Sequence, residues 1–142
     1  MEAYLVNANL QGVNWSNVNL QGANLTWADF QKSKLNYADL SNATLQYAHM
    51  QETDLIGAYL QGTELHGTNL EKADLSFANL QGADLYDSDL TDALFNNGTD
   101  LRGALLYAAE IKNAKKLQYA KISGKNLGEM CIEELLADNI HN

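Results

Sequence analysis

The chain of 142 residues has no proline, one cysteine, and nine lysines and arginines set against 18 aspartates and glutamates. The lack of proline means that no backbone N–H is missing, which suits a wall of chain hydrogen-bonded on both sides. A lone Cys131 excludes an intrachain disulfide and argues against a thiolate metal centre. The net charge of −9 repels nucleic acid and anionic membrane at long range, so neither is expected to bind directly and charged partners are expected to be basic. There is no secretory leader pattern and no apolar run near the ~18 residues of a membrane helix. A soluble, cytoplasmic single domain is the expectation.

What the chain does have is a rhythm of five. Large apolar residues stand at Leu5, Leu10, Trp15, Leu20, Leu25, Phe30 and onward to Phe95 without a slip, and two places before each stands a small one, such as Ala23, Ala28, Ser33 and Ala38. Five residues turn a helix through roughly 500°, which scatters these positions around its axis. On a flat strand they alternate between faces. The remaining solution is a chain that turns a corner every five residues and points each large and small pair at a common axis, a solenoid. Leucine then fills a narrow tube, at about 1.5–3 kcal/mol for each buried side chain, and alanine lets the wall come close.

The run A-[DN]-L-x-x, as in "ANLTW" (23–27), "ADLSN" (38–42), "ADLSF" (73–77), "ANLQG" (78–82) and "ADLYD" (83–87), resembles the pentapeptide repeat family, strongly to about residue 111 and weakly to about 127. The resemblance implies an all-β solenoid, a right-handed quadrilateral parallel β-helix with four pentapeptides per coil of 20 residues, stacked about 4.8 Å apart. A 20-residue offset places Lys32, Glu52, Lys72 and Asp92 in one column as possible cross-coil pairs, Gln11, Gln31 and Gln51 in an amide ladder, and Trp27 over Tyr47. It also stacks Asp54 on Asp74 and Glu64 on Asp84. At the corners, bulky Trp27, Tyr37, Tyr47 and Phe77 share a position with six glycines. Such residues resist positive φ, so mostly ordinary turns are expected.

The rhythm stretches to six residues between Phe95 and Leu101 and again between Ile111 and Leu117, each read as a one-residue bulge or small loop. Residues 1–126 are expected to form the solenoid, irregular after 96, and 127–139 a helix ahead of a short tail, 140–142. Leu127, Cys131, Ile132, Leu135 and Leu136 would occupy one face of that helix, with Asn126 and Glu129 as its capping box. The helix is expected to cap the last coil or to pair two copies. The first coil has no visible cap. Val13, Trp15 and Val18 would narrow that end; otherwise it packs on another molecule or continues a longer chain. A monomer is thus expected, or a homodimer through the helix or the open N-terminal end.

No catalytic, cofactor or metal constellation stands out. Asp54/Asp74 and Glu64/Asp84 read as solvated members of an outer position, His49 and His66 as surface residues, and Ser33 and Ser88 as packing residues. Charge is more informative. Ten acidic residues and one lysine lie between Glu52 and Asp100, and Lys112, Lys115, Lys116, Lys121 and Lys125 follow. Two functions are expected from this pattern. The first is a non-catalytic module that binds another protein through aromatic strips, Trp27 with Tyr47 and Tyr37 near Phe77. The second, implied by the resemblance, is imitation of DNA toward a type II topoisomerase such as gyrase. It would act through acidic faces that carry Glu64, Glu71, Asp84, Asp87, Asp89 and Asp92.

Overall fold

The structure is a computed structural model that describes residues 2–122. Parallel bridges join Tyr4 to Asn24, Asn9 to Asp29, and so on in steps of 20 up to Asp74 with Leu94. Each coil therefore spends four pentapeptides on four short walls and four corners. The large residue of each pentapeptide points inward, and Leu25, Phe30, Leu35, Leu40, Leu45, Met50 and their successors are fully buried in one continuous core. The small residue two places earlier is equally buried, so the tube holds one large and one small side chain per wall in every coil.

Where the small position carries threonine rather than alanine, its hydroxyl finds a carbonyl within the tube. Thr53 donates to Phe30 O, Thr63 to Leu40 O, Thr68 to Leu45 O and Thr99 to Leu75 O. Ser88 donates to Leu85 O, whereas the Oγ of Ser33 is buried without a partner. Both serines sit inward, as the rhythm places them.

The backbone of one pentapeptide shows why the unit is five residues long. The N–H of Asp39 donates down to Val18 O, while those of Leu40 and Asn42 donate up to Tyr59 O and Gln61 O. The N–H of Ala43 closes the corner on Leu40 O. Only the N–H of Ser41 is left over, and the Oδ1 of Asp39 accepts it at 3.0 Å. Every donor has its partner. The same Asx arrangement recurs at Asn19, Asn24, Asp29, Asp54, Asn69, Asp74, Asn79, Asp84 and Asp89. Where an Asp or Asn precedes the large inward residue, it is thus a structural residue of the wall and not only a solvated member of an outer position.

The corners differ from expectation. Each regular corner from Asn7 to Asp92 places its second residue at positive φ, including Trp27 at 61°, Tyr37 at 59°, Tyr47 at 59° and Phe77 at 59°. With the closing bond from the residue that follows, these are type II turns. The left-handed conformation costs a non-glycine residue on the order of 1 kcal/mol. It persists because the corner N–H is tied to the next coil, as Trp27 is to Gln46 O and Tyr37 to Ile56 O, while the residues on either side are pinned by the core.

Both breaks in the rhythm are absorbed without disturbing the core. The extra residue in 96–100 leaves at a corner. There the Oδ1 of Asn96 accepts from the N–H groups of both Gly98 and Phe77, and Thr99 and Asp100 return to the wall. Coils then pair at 21 residues, as Asn79 does with Asp100 and Asp84 with Leu105. At the second break Lys116 swings out at φ 61°, Leu117 takes the core place fully buried, and a 3-10 turn spans Leu117–Tyr119. The first coil stays open: Leu5, Leu10, Val13, Trp15 and Val18 are only half-buried, so they narrow that end without closing it. The expected helix, with Leu127, Cys131, Ile132, Leu135 and Leu136, lies outside the described residues.

Candidate interaction surface

Stacking at a 20-residue offset gives each corner a column with its own chemistry. The first corner, at 26–27 and its equivalents, carries Trp27, Tyr47, His66, Tyr86 and Tyr107. The second carries most of the charged corner residues, among them Lys32, Glu52, Glu71, Lys72 and Asp92. The third alternates rings with glycine, Tyr37, Gly57, Phe77 and Gly98. The fourth is small, with Gly22, Asn42, Gly62, Gly82 and Gly103.

The first corner forms a continuous ladder of rings. Trp27 stacks on Tyr47 with centroids 4.9 Å apart and planes at 20°. Tyr47 meets His66 edge-on at 5.6 Å, His66 lies 4.9 Å from Tyr86, and Tyr86 stacks on Tyr107 at 5.5 Å and 18°. His49, one wall position away, approaches Trp27 at 6.5 Å. Trp27 is 50% exposed and Tyr47, Tyr86 and Tyr107 between 37% and 40%, so the ladder shows its faces and edges to solvent. Sequence inspection finds the Trp27/Tyr47 step. It misses the rest because the ring moves from the second corner residue to the first after Tyr47, and because the offset becomes 21 between Tyr86 and Tyr107.

Tyr37 and Phe77 share the third corner, two coils apart, but each ring covers a glycine rather than the other ring. A Cβ on Gly57 would stand 2.4 Å from Tyr37 Cε1, and one on Gly98 would stand 2.3 Å from Phe77 Cδ1. Glycine there leaves room for the ring below. Tyr47 covers Gly67 in the same manner, at 2.6 Å.

The acidic residues divide by position. Glu64 and Asp84 lie on the wall before the first corner, Asp87 on that corner, and Asp89 on the wall after it, where Asp29 and Glu110 also stand. Glu71 and Asp92 belong to the second corner. Lys72 pairs with its neighbour Glu71 at 3.8 Å. The cross-coil pairs expected among Lys32, Glu52, Lys72 and Asp92 do not form among the described residues. The glutamine ladder is replaced as well, because Gln11 and Gln31 both donate to Asp29 Oδ2. Gln46 reaches Glu64 and Gln81 reaches Asp100 in the same upward manner.

Asp54 does stack on Asp74 and Glu64 on Asp84. Asp54, Asp74 and Asp84 each commit Oδ1 to the N–H two residues on. Two carboxyls are perturbed elsewhere. Burial pushes Asp29 up, but the N–H of Gln31, the amides of Gln11 and Gln31 and nearby His49 outweigh it and hold the group below its usual range. Hydrogen bonds from Arg102, chiefly, bring Asp100 down to about 2 against the opposing effect of burial. Arg102 grips it with Nε at 2.9 Å and Nη2 at 2.6 Å. Neither environment gathers a second reactive group; both fasten the wall. Among the described residues no cluster of three metal-ligating side chains occurs and no helix is long and apolar enough to cross a membrane.

The profile of pentapeptide repeats matches this chain in eight copies, over residues 1–36, 23–62 and 58–97. A pentapeptide repeat protein from the Arabidopsis thaliana thylakoid lumen is similar in structure, with a TM-score of 0.54 and 22% identity over 91% of each chain, a likeness of fold. A pentapeptide repeat protein from Nostoc Pcc 7120 is 28% identical over 86% of each chain, with a TM-score of 0.45. A trypsin-treated form of QnrB1, a plasmid-mediated fluoroquinolone resistance protein, is 17% identical over 99% of this chain and 84% of its own, also at 0.45. The curated proteins give no match.

Proposed function

The chain belongs to the pentapeptide repeat family, and from that premise we propose that it is a non-catalytic module that binds another protein along its first corner. The observation that carries this is the ladder from Trp27 to Tyr107, a row of exposed rings on a backbone fixed by hydrogen bonds on both sides. Exposed aromatic area on a rigid support is what interfaces use as anchors, because little ordering entropy remains to be lost on binding. Photo-crosslinking in the native cell tests it, with benzoyl-phenylalanine in place of Tyr47 and, as control, in place of Gln61 at the fourth corner. A discrete adduct from position 47 and none from 61 is the expected result. No adduct from either position, or the same adducts from both, would overturn it.

Rows of carboxylates support a second reading, a DNA mimic that occupies the basic groove of a type II topoisomerase. Glu64 stacks on Asp84, and Asp89 on Glu110, at coil spacing on the two walls that meet at the first corner. A gyrase supercoiling assay decides it. Inhibition by the native chain, lost on Asp84→Asn/Asp87→Asn/Asp89→Asn, would support mimicry; no effect at high molar excess would remove gyrase as the target.

A further inference from the structure

The positive charges of this rod are sorted around its axis as well as along it. Among the described residues, Lys32, Lys72 and Lys112 stand on the second corner, Lys34 and Lys115 on the wall after it, Lys116 at the third corner, Lys121 on the wall after that, and Arg102 on the fourth corner. Among the described residues, the first corner and the two walls that meet there hold no lysine or arginine. They carry Asp29, Glu64, Asp84, Asp87, Asp89 and Glu110 instead. The ring ladder thus runs down the middle of an acidic strip, and Trp27 and Tyr47 share one surface with Glu64, Asp84, Asp87 and Asp89, whereas Tyr37, Phe77, Glu71 and Asp92 lie on other corners.

We infer that this strip is a docking site for an arginine-rich segment of a partner protein, an inference that rests on the interaction-module reading above and names the chemistry of its partner. The strip and such a segment are complementary at two levels. The field of six carboxylates with no lysine or arginine among them attracts a basic chain and steers its approach. At contact, a guanidinium finds what an ammonium cannot use as well, a ring face to stack on and a carboxylate to grip with a planar fork. Tyr86 shows the combination locally. It is 37% exposed, Asp87 follows it at the same corner, and Asp84 and Asp89 flank it on the two walls. Asp84 and Asp89 each spend Oδ1 on the wall, and their Oδ2 atoms make no hydrogen bond among the described residues, as is true of the whole Asp87 carboxylate. Five rings follow one another at 4.9–5.6 Å over five coils, and carboxylates stand beside four of them, Asp29 by Trp27, Glu64 by His66, Asp84, Asp87 and Asp89 by Tyr86, and Glu110 by Tyr107. Several arginines of one extended segment can therefore engage together, and their contacts reinforce one another.

The test uses the full chain and two fluorescein-labelled peptides of equal charge, nona-arginine and nona-lysine, followed by anisotropy. Nona-arginine is expected to bind at least about fivefold more tightly than nona-lysine, since charge alone does not separate them. The variant Trp27→Asn/Tyr86→Gln keeps side chains suited to the turn and is expected to reduce that preference at least about twofold while leaving the melting curve in place. Asp84→Asn/Asp87→Asn/Asp89→Asn is expected to weaken both peptides about tenfold, whereas Glu52→Gln/Glu71→Gln/Asp92→Asn at the second corner, which removes three charges too, costs about threefold or less. Equal affinity for the two peptides, or equal losses from the two charge variants, would overturn the inference. If that happens while the crosslink from position 47 persists, only the arginine chemistry falls; if the crosslink is absent as well, the interaction reading falls with it.

Discussion

The first and fourth corners of this tube share one backbone and almost nothing else. Trp27 and Tyr47 turn the first corner at φ 61° and 59°, and Gly22 and Gly62 turn the fourth at 70° and 64°. If the corner residue dictated the turn, a tryptophan and a glycine could not give the same answer. The turn is imposed from within, by the buried leucine before it, the closing hydrogen bond after it and the rung to the next coil. Corner side chains are therefore released from structural duty, apart from a modest strain, and are available to carry surface chemistry.

The largest effect is expected from removing what both corners share. Leu45→Ala deletes a fully buried side chain in the middle of the tube. It is expected to cost about 2–5 kcal/mol, because neighbouring coils are fixed by their own rungs and cannot collapse into the gap. Urea denaturation measures this; a loss below about 1 kcal/mol would mean that the interior does not impose the turns.

A finer cut separates strain from contact. Gly57 and Gly82 sit at φ 66° and 67°, but a Cβ on Gly57 meets the Tyr37 ring at 2.4 Å, whereas one on Gly82 meets nothing within 4 Å. Gly82→Ala is expected to cost about 1 kcal/mol, the left-handed penalty alone. Gly57→Ala is expected to cost about 2–3 kcal/mol, and to fall to the cost at Gly82 in a Tyr37→Ala background. Thermal melts of the four variants and the native chain close the cycle. Equal costs at both glycines would show that the ring is no tighter a neighbour than solvent.

The fourth corner also carries the shorter of the two ion pairs found among the described residues, between Arg102 and Asp100. Asp100 lies at about 2 in the folded chain, below its ordinary value. Its contribution is therefore full above the unfolded value near 4 and is lost as pH falls toward 2. We expect on the order of 1–2 kcal/mol at neutral pH, reduced by the solvent around the exposed Arg102 end. Asp100→Asn should lower stability at pH 7 and flatten its decline between pH 4 and 2, although Asp29, also depressed, keeps part of the slope. An unchanged slope would remove Asp100 from the acid response.

The interior of this fold was legible because it is periodic. A leucine that must be inward every five residues leaves the same mark in sequence as in space, and both irregular intervals, 95–101 and 111–117, showed as six-residue gaps. The corners were not legible, because Trp27 and Tyr37 by themselves prefer negative φ, while the hydrogen bonds that override this preference belong to other coils. The surface was half legible. Trp27 over Tyr47 follows from the offset, but His66, Tyr86 and Tyr107 join the ladder only when shifts within the corner and the 21-residue coil are known. The separation of lysines from the ring corner likewise needs the register around the tube, since along the chain Lys72 stands in the middle of the acidic stretch.

The Asx residues offer the smallest and most selective change. Tyr59 occupies the place where Asp39 and Asn79, its neighbours one coil below and above, accept the N–H of the residue two further on. At Tyr59 no side-chain oxygen does this for Gln61. Tyr59→Asn should supply the missing acceptor and raise stability by about 0.5–1 kcal/mol, the usual worth of such a local cap. Asp39→Ala should lower it by a similar amount. Opposite shifts in melting temperature from two adjacent coils of one column would establish that the Asp or Asn before each leucine holds the wall. A loss in both variants would instead assign Tyr59 a packing role that outweighs the cap, and would return those acidic residues to the surface chemistry that their charge suggests.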